Sequence, residues 1–233
     1  MEYSAEEPAS IQSLFNSIAK SYDRMNFILS MGLYRLWNRR LINAARSESG
    51  NDLLDLCAGT GEIAYGFLNK NPQGHATLLD FSEEMIEIAR QKGGDLTERC
   101  KYCVADAEKI PFQENSFETI TLAYGLRNIK EPLLCAQEGF RVLRKGGVFA
   151  ILELTRPRFF ILRSLHYLFL KTFLPLLGRL LANNEAAYKY LCDSINHFIS
   201  PEEVQKMLLN TGFSTVKVTP LFGGVATLFL AKK

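Results

Sequence analysis

The residues best suited to chemistry begin with the run LLDLCAGTGEIA, Leu53 to Ala64. Leu53, Leu54 and Leu56 predict a short buried strand, with Asp55 near its carboxyl end. Gly59 and Gly61 let the backbone turn sharply with no Cβ in the way, so a ligand can lie against it. Ile63 and Ala64 open a helix whose N-terminal N–H groups face that ligand. A strand, glycine turn and helix in this order hold a nucleoside-containing cofactor at the carboxyl edge of a parallel sheet.

Spacing alone admits two cofactors. Gly59, Gly61 and Ala64 fit the dinucleotide pattern, and Asp80 ends the next apolar run (His75 to Leu79) about 20 residues on, where a ribose-binding acid belongs for NAD. Two carboxylates favour S-adenosylmethionine instead. Asp55 beside the turn would repel a pyrophosphate but suits an ammonium or sulfonium, and Glu62 at the helix start acts in the same sense. An NAD-dependent oxidoreductase stays as the alternative of a different class.

Further candidates fall at later strand ends. Lys101 to Val104 predicts a third strand, followed by Asp106 and Ala107, an acid–alanine pair that can cap an adenine through its exocyclic amine. Phe117 to Ala123 predicts a fourth strand ending in Tyr124, Gly125, Leu126, Arg127 and Asn128. Helix 132–143 follows, then a tight turn at Lys145 to Gly147 into strand Val148 to Leu152, with Glu153 at its end. These side chains would gather at one sheet edge beside the glycine turn, where open α/β sheets place their chemistry.

The elements that position them are an α/β core with helices added. Residues 1–50 predict a helical lid, with Ile11, Leu14, Phe15 and Ile18 at helical spacing and Leu33, Leu36, Trp37, Leu41 and Ile42 likewise. The core occupies 51–155, a helical apolar insertion 156–199, and 200–233 returns to the core. Ser82 predicts an N-cap for helix 83–91, Ser200 and Pro201 start helix 201–211, and Gly212 stops it. Val216–Val218 and Ala226–Ala231 read as a closing antiparallel hairpin.

Composition sets the outer limits. The 233 residues, 47% hydrophobic and 22% charged, suit one globular unit. A net charge of +2 gives no electrostatic case for nucleic acid. Met1 to Ala9 is acidic and without an apolar h-region, and the five cysteines are scattered, so reduced thiols in a cytoplasmic protein are expected. Cys100 and Cys103 form a lone CxxC, and His75, His166 and His197 do not cluster with acids or thiols, so no metal site is expected. From Arg156 to Leu181 the chain is rich in Leu and Phe, interrupted by Arg158, Arg163, Lys171, Pro175 and Arg179, with no acid between Glu153 and Glu185. Those charges argue against a membrane span and leave a roof over the site or a basic surface resting on anionic lipid.

The sequence resembles the ubiquinone/menaquinone biosynthesis C-methyltransferases over nearly its whole length. Tyr22 to Trp37 (YDRMNFILSMGLYRLW) is similar to the family's N-terminal signature, Arg141 to Thr155 to its second, and Gly125 to Asn128 to its GLRN pattern. Tyr34 stands where a histidine is usual, Lys145 where a proline is usual, and Ala123 where a serine can help hold the cofactor. The resemblance implies a class I methyltransferase Rossmann-like fold, mostly parallel with seven strands and an antiparallel terminal hairpin. It implies methyl transfer from S-adenosylmethionine to a ring carbon of a polyprenylated quinol, either demethylmenaquinol or the benzoquinol of ubiquinone biosynthesis. Another small apolar acceptor is the nearest alternative.

On that reading Arg127 and Asn128 hold the quinol oxygen or a water, and Asp23 and Tyr22 complete a proton path. Asp80 takes the ribose, Asp55, Gly59, Thr60 and Gly61 the methionine part, Asp106 and Ala107 the adenine, and position 123 adjoins the cofactor. A lipid-borne substrate further implies peripheral attachment at the inner face of the membrane. A homodimer is left open.

Overall fold

A computed structural model describes residues 8–47, 50–173 and 185–233. Pro175, Arg179 and Leu181 of the apolar segment lie outside the described residues.

Three helices come first: α1 (Pro8–Ile18), α2 (Tyr22–Leu29) and α3 (Leu33–Ser47). Strands and helices then alternate as β1 (Asp52–Leu56), α4 (Glu62–Lys70), β2 (His75–Asp80), α5 (Glu83–Lys92) and β3 (Cys100–Val104). β4 (Phe117–Ala123), α6 (Pro132–Val142) and β5 (Leu143–Leu154) follow, then α7 (Phe160–Leu168) and α8 (Glu185–His197). α9 (Pro201–Thr211), β6 (Thr215–Leu221) and β7 (Ala226–Lys232) complete the chain.

The seven strands form one sheet in the order β3-β2-β1-β4-β5-β7-β6. β1 to β5 pair in parallel, whereas β7 runs antiparallel to both β5 and β6. The terminal hairpin is therefore present, with its second strand inserted next to β5. β1 pairs with both β2 and β4, so the connections diverge there and leave a crevice at the carboxyl ends of β1 and β4.

Alternation along the strands builds a core on each face. Leu54, Leu56, Phe149 and Ile151 pack on one side with Cys135 and Val142 of α6 and Val204 and Leu208 of α9. Leu53, Val148, Ala150 and Leu152 pack on the other with Trp37 and Leu41 of α3, Phe67 and Leu68 of α4, and Ile86 and Ala89 of α5. Fully buried side chains such as Phe67, Phe149 and Phe229 each contribute about 1.5–3 kcal/mol relative to exposure. A third cluster of Ile18, Met25, Leu170 and Ile195 stands apart and joins the lid helices to the insertion.

Local signals match the expected caps. Ser82 Oγ accepts from the Met85 N–H at 3.1 Å, and Ser200 and Glu203 form a reciprocal capping box at α9. Gly212 ends that helix at φ 115°. Two local readings change. Lys145 to Gly147 does not precede β5 but lies within it: Phe117 pairs with Leu143 and Thr119 with Val148, so the extra residues bulge out of the ladder. Leu36, read as part of the apolar stripe of α3, is 51% exposed.

Candidate active site

The edge between β1 and β4 is shaped by unusual backbone at both strand ends. Cys57 after β1 and Tyr124 after β4 both take left-handed φ angles, 51° and 58°. Non-glycine residues held there commonly mark functional sites. Between them, Gly125 has no room for a side chain, because a Cβ would stand 2.6 Å from Cys57 Cβ. Gly59, at φ 53°, meets only the Tyr22 ring, at 3.9 Å, so its bare backbone faces a ligand-sized space.

Asp80 organises the turn. Its Oδ2 accepts from the Gly59 N–H at 2.8 Å and its Oδ1 from the Ser82 N–H at 3.0 Å. Burial pushes its pKa up to about 6. Asp80 and Gly59 line a cavity with Asp106, Ala107, Ala123 and Asn128. The Asp106 Oδ1 accepts from the Glu108 N–H at 2.9 Å, which fixes its carboxylate at the rim. Gly61, by contrast, lines none of the cavities around the turn: at φ 83° it serves the turn itself, because a Cβ there would meet the Tyr65 ring at 2.5 Å.

A smaller cavity beneath the turn is lined by Asp55, Thr60, Glu62, Asp23 and Ala123. Asp55 Oδ1 accepts from Thr121 Oγ1 at 2.7 Å. Its Oδ2 is the one buried side-chain N or O among the described residues without a hydrogen-bond partner. Burial pushes the Asp55 pKa up to about 7, the Thr121 bond working against it. Burial, reinforced by the Asp23 charge, also raises Glu62. Three carboxylates, one of them Asp55 with its orphaned oxygen, make this pocket suited to a cation and hostile to a diphosphate, so the residues present fit S-adenosylmethionine.

The lid helices are latched onto the same turn. Thr60 Oγ1 donates to Asp23 Oδ1 at 2.6 Å, and Lys92 Nζ pairs with Asp23 Oδ2 at 2.5 Å. Tyr34 and Asn38 of α3 donate to the two oxygens of Glu62, each at 3.1 Å, and Tyr124 donates to Asn38 Oδ1 at 2.9 Å. Asp23 is thus part of the latch and lines only the smaller cavity, apart from Arg127 and Asn128. The tyrosine at position 34 has its own polar partner in Glu62.

Arg127 is buried, 5% exposed. Its Nη1 pairs with Glu153 Oε1 at 2.8 Å and also donates to the Tyr124 carbonyl, while its backbone N–H donates to Glu153 Oε2 at 3.0 Å. Its Nε donates to Ser194 Oγ of α8 at 3.3 Å. Burial opposes its charge, but Glu153 overcomes that and holds the guanidinium above its ordinary pKa. Asn128 Nδ2 donates to the Tyr124 carbonyl at 3.2 Å, and its Oδ1 accepts from Tyr190 of α8 at 2.9 Å.

Arg127 and Tyr22 face a third, much larger cavity of about 310 Å³ between the lid and the insertion. Its other walls are mainly apolar, including Ile18, Met25, Trp37, Leu154 and Phe169. Tyr22 and Tyr124 line all three cavities and stand at their junction. Burial raises the Tyr22 pKa, so its hydroxyl stays protonated. His166 lines the large cavity, where burial lowers its pKa, and no metal-ligating cluster occurs among the described residues. Sequence reasoning missed Tyr190, Ser194 and Lys92, whose polar groups reach the site from helices remote in sequence.

Residues 2–233 match the ubiE/COQ5 methyltransferase family. The chain belongs to that family. It is 44% identical to the demethylmenaquinone methyltransferase of Protochlamydia amoebophila, over 99% of this chain and 98% of the relative. It is 38% identical to the demethylmenaquinone methyltransferase of Chlamydia pneumoniae, over the full length of both. A solved S-adenosylmethionine-dependent methyltransferase from Thermotoga maritima shares the fold at a TM-score of 0.68 and 18% identity, over 95% of this chain and 99% of that one. This ubiE/COQ5 family member is an S-adenosylmethionine-dependent C-methyltransferase of quinone biosynthesis.

Asp55 gives the family member a testable pH dependence. Its folded pKa of about 7 lies above the unfolded value, so the folded state keeps a proton that the unfolded chain releases. The associated stability is complete below about pH 4 and is lost as pH rises through about 7, by at most about 1.4 kcal/mol per unit. Asp80 contributes in the same sense up to about pH 6. Thermal melts of the cofactor-free protein should therefore fall between about pH 6 and 7, and Asp55→Asn should flatten that part of the profile. An unchanged slope in Asp55→Asn would exclude Asp55 as the titrating group.

Proposed function

We propose that this enzyme methylates a ring carbon of a polyprenylated quinol, with demethylmenaquinol as the acceptor, and that it works at the cytoplasmic face of the membrane. The observation that carries the reading is the large apolar cavity meeting the cofactor cavities at Tyr22 and Tyr124, with the buried cation Arg127 lining the large cavity and bonded to the Tyr124 carbonyl. The names of the two chlamydial relatives support the naphthoquinol over the benzoquinol.

When bound, S-adenosylmethionine supplies an electrophilic methyl group. Asp80 would hold its ribose hydroxyls, Asp106 and Ala107 its adenine, and Asp55 with Gly59 and Thr60 its cationic methionine end. Ala123 and the bare Gly59 backbone allow close approach, while Gly61 shapes the turn.

On the acceptor side, a ring carbon becomes a sufficient nucleophile once a neighbouring hydroxyl gives up its proton. Arg127 stabilises the resulting phenolate oxygen, in a cavity where little water competes. Asn128, steadied by Tyr190, lines the cofactor cavity and not the large one, so its part would be to hold a water that receives the proton. Tyr22 donates from its protonated hydroxyl. Asp23 acts at one remove, by holding the lid on Thr60. As the ring carbon took the methyl group, the methyl's bond to sulfur would break and leave a neutral thioether, and the ring proton would then pass to the water beside Asn128, restoring aromaticity. Alignment of carbon, methyl and sulfur is chiefly a positioning task, and the latched lid supplies it.

The test uses purified protein and methyl-labelled S-adenosylmethionine with detergent-dispersed demethylmenaquinol or the benzoquinol counterpart in separate reactions. Label is expected in the organic phase with demethylmenaquinol. Cofactor binding without label in either quinol would redirect the search to another apolar acceptor.

A further inference from the structure

The mouth of the large cavity is apolar and exposed. Met31 after α2, Leu165 of α7 and Phe222 of the β6–β7 turn all line the cavity, yet are 75%, 60% and 64% exposed. The outer side of α7 continues this surface with Phe159, Phe160, Ile161 and Leu168, all exposed. α7 thus carries apolar residues on both sides: Leu162 and His166 line the cavity, whereas Phe160 and Ile161 do not. Isolated exposed apolar residues are ordinary, but a contiguous patch around a cavity mouth marks a docking surface.

The charges beside the patch identify what docks. Arg163 lies over the Phe160 ring at 5.9 Å and Lys171 over the Tyr167 ring at 5.7 Å. Among the described residues neither has an acidic partner, whereas Arg158 is paired with Glu202. A second copy of this chain would bring like cations together across a twofold axis, which disfavours it. An anionic bilayer answers both features at once. No helix among the described residues is long and apolar enough to cross a membrane.

We propose that the cavity opens directly into an anionic bilayer. Phe160, Ile161 and Leu168 sit below the headgroups, Arg163 and Lys171 sit among the phosphates, and Met31, Leu165 and Phe222 frame a portal for the polyprenyl tail. The ring then reaches Arg127 without crossing water. This rests on the quinol reading above and adds the route by which the substrate arrives.

The test combines vesicle sedimentation with two activity assays on the full chain. The vesicles contain phosphatidylcholine alone or with about one third phosphatidylglycerol. Wild-type protein is expected to bind the anionic vesicles at least about tenfold better, an advantage that Arg163→Ala with Lys171→Ala removes. The double variant Phe160→Ser, Ile161→Ser is expected to lose about tenfold in vesicle binding and in turnover of long-tailed quinol held in vesicles. Its turnover of a tail-less, water-soluble quinol should match wild type. Wild-type methylation of the tail-less quinol without vesicle binding would overturn the portal alone. A dimer in vesicle-free solution that this variant turns into monomers would overturn it in favour of an interface between copies. No methylation of either the long-tailed or the tail-less quinol would overturn the quinol reading itself.

Discussion

Arg127→Ala is expected to cost at least about 100-fold in turnover and about 3–5 kcal/mol in stability, for separable reasons. Glu153 is fully buried, and its Oε1 and Oε2 accept from the Arg127 side chain and backbone. Removing the guanidinium leaves a carboxylate with no countercharge in the interior, the costly half of a broken buried pair. The same substitution removes the one buried cation among the described residues that faces the large cavity, and with it the charge that would stabilise a phenolate. The paired change Arg127→Met with Glu153→Met distinguishes the two. Apolar replacement of a whole buried ion pair is often neutral, so the melting temperature should return towards wild type while turnover stays low. Recovery of turnover in the paired variant would show that Arg127 serves only the fold. Full turnover of Arg127→Ala with unchanged cofactor affinity would remove it from the mechanism.

Asp80→Ala is expected to weaken S-adenosylmethionine binding by about 100-fold, or about 2.8 kcal/mol, read by calorimetry. Its carboxylate holds the Gly59 and Ser82 N–H groups at 2.8 and 3.0 Å, so its loss both loosens the glycine turn and removes the acid assigned to the ribose. Asp80→Asn keeps one acceptor oxygen and should fall between the two. Asp106→Ala should cost about tenfold, since this exposed side chain shapes only the rim. Unchanged affinity in Asp80→Ala would transfer the ribose to other residues of the cavity.

Much of this site could be read from residue order because its signals are local. The strand around Asp55, the glycine turn, the Ser82 cap and the Ser200–Glu203 box each act over a few residues, where backbone geometry and short polar side chains decide the outcome. The pairing of Asp23 with Lys92 and of Arg127 with Glu153 spans 69 and 26 residues, and no periodicity encodes it. The same limit applies to α7. Its composition announces an apolar, basic segment, but which side chains line the cavity and which face outward depends on what α7 packs against. Leu36 shows the converse: helical spacing places it on the stripe of α3, and the absence of a neighbour there leaves it exposed. The bulge at Lys145 to Gly147 is a property of the ladder with β4, so a turn-forming sequence could not by itself place it inside the strand.

The position of β7 between β5 and β6 sets an order of assembly during synthesis. β6 emerges first but pairs only with β7, so it has no place in the sheet until the residues after Val225 are available. Every described residue lining the cavity around Asp80 and Asp106 lies between Phe15 and Lys130, within the earlier part of the chain. The large cavity also needs Leu154, α7, α8 and the β6–β7 turn. A nascent chain therefore carries the described lining of its cofactor cavity well before it can wall off the acceptor, and the greasy compartment is the last to close.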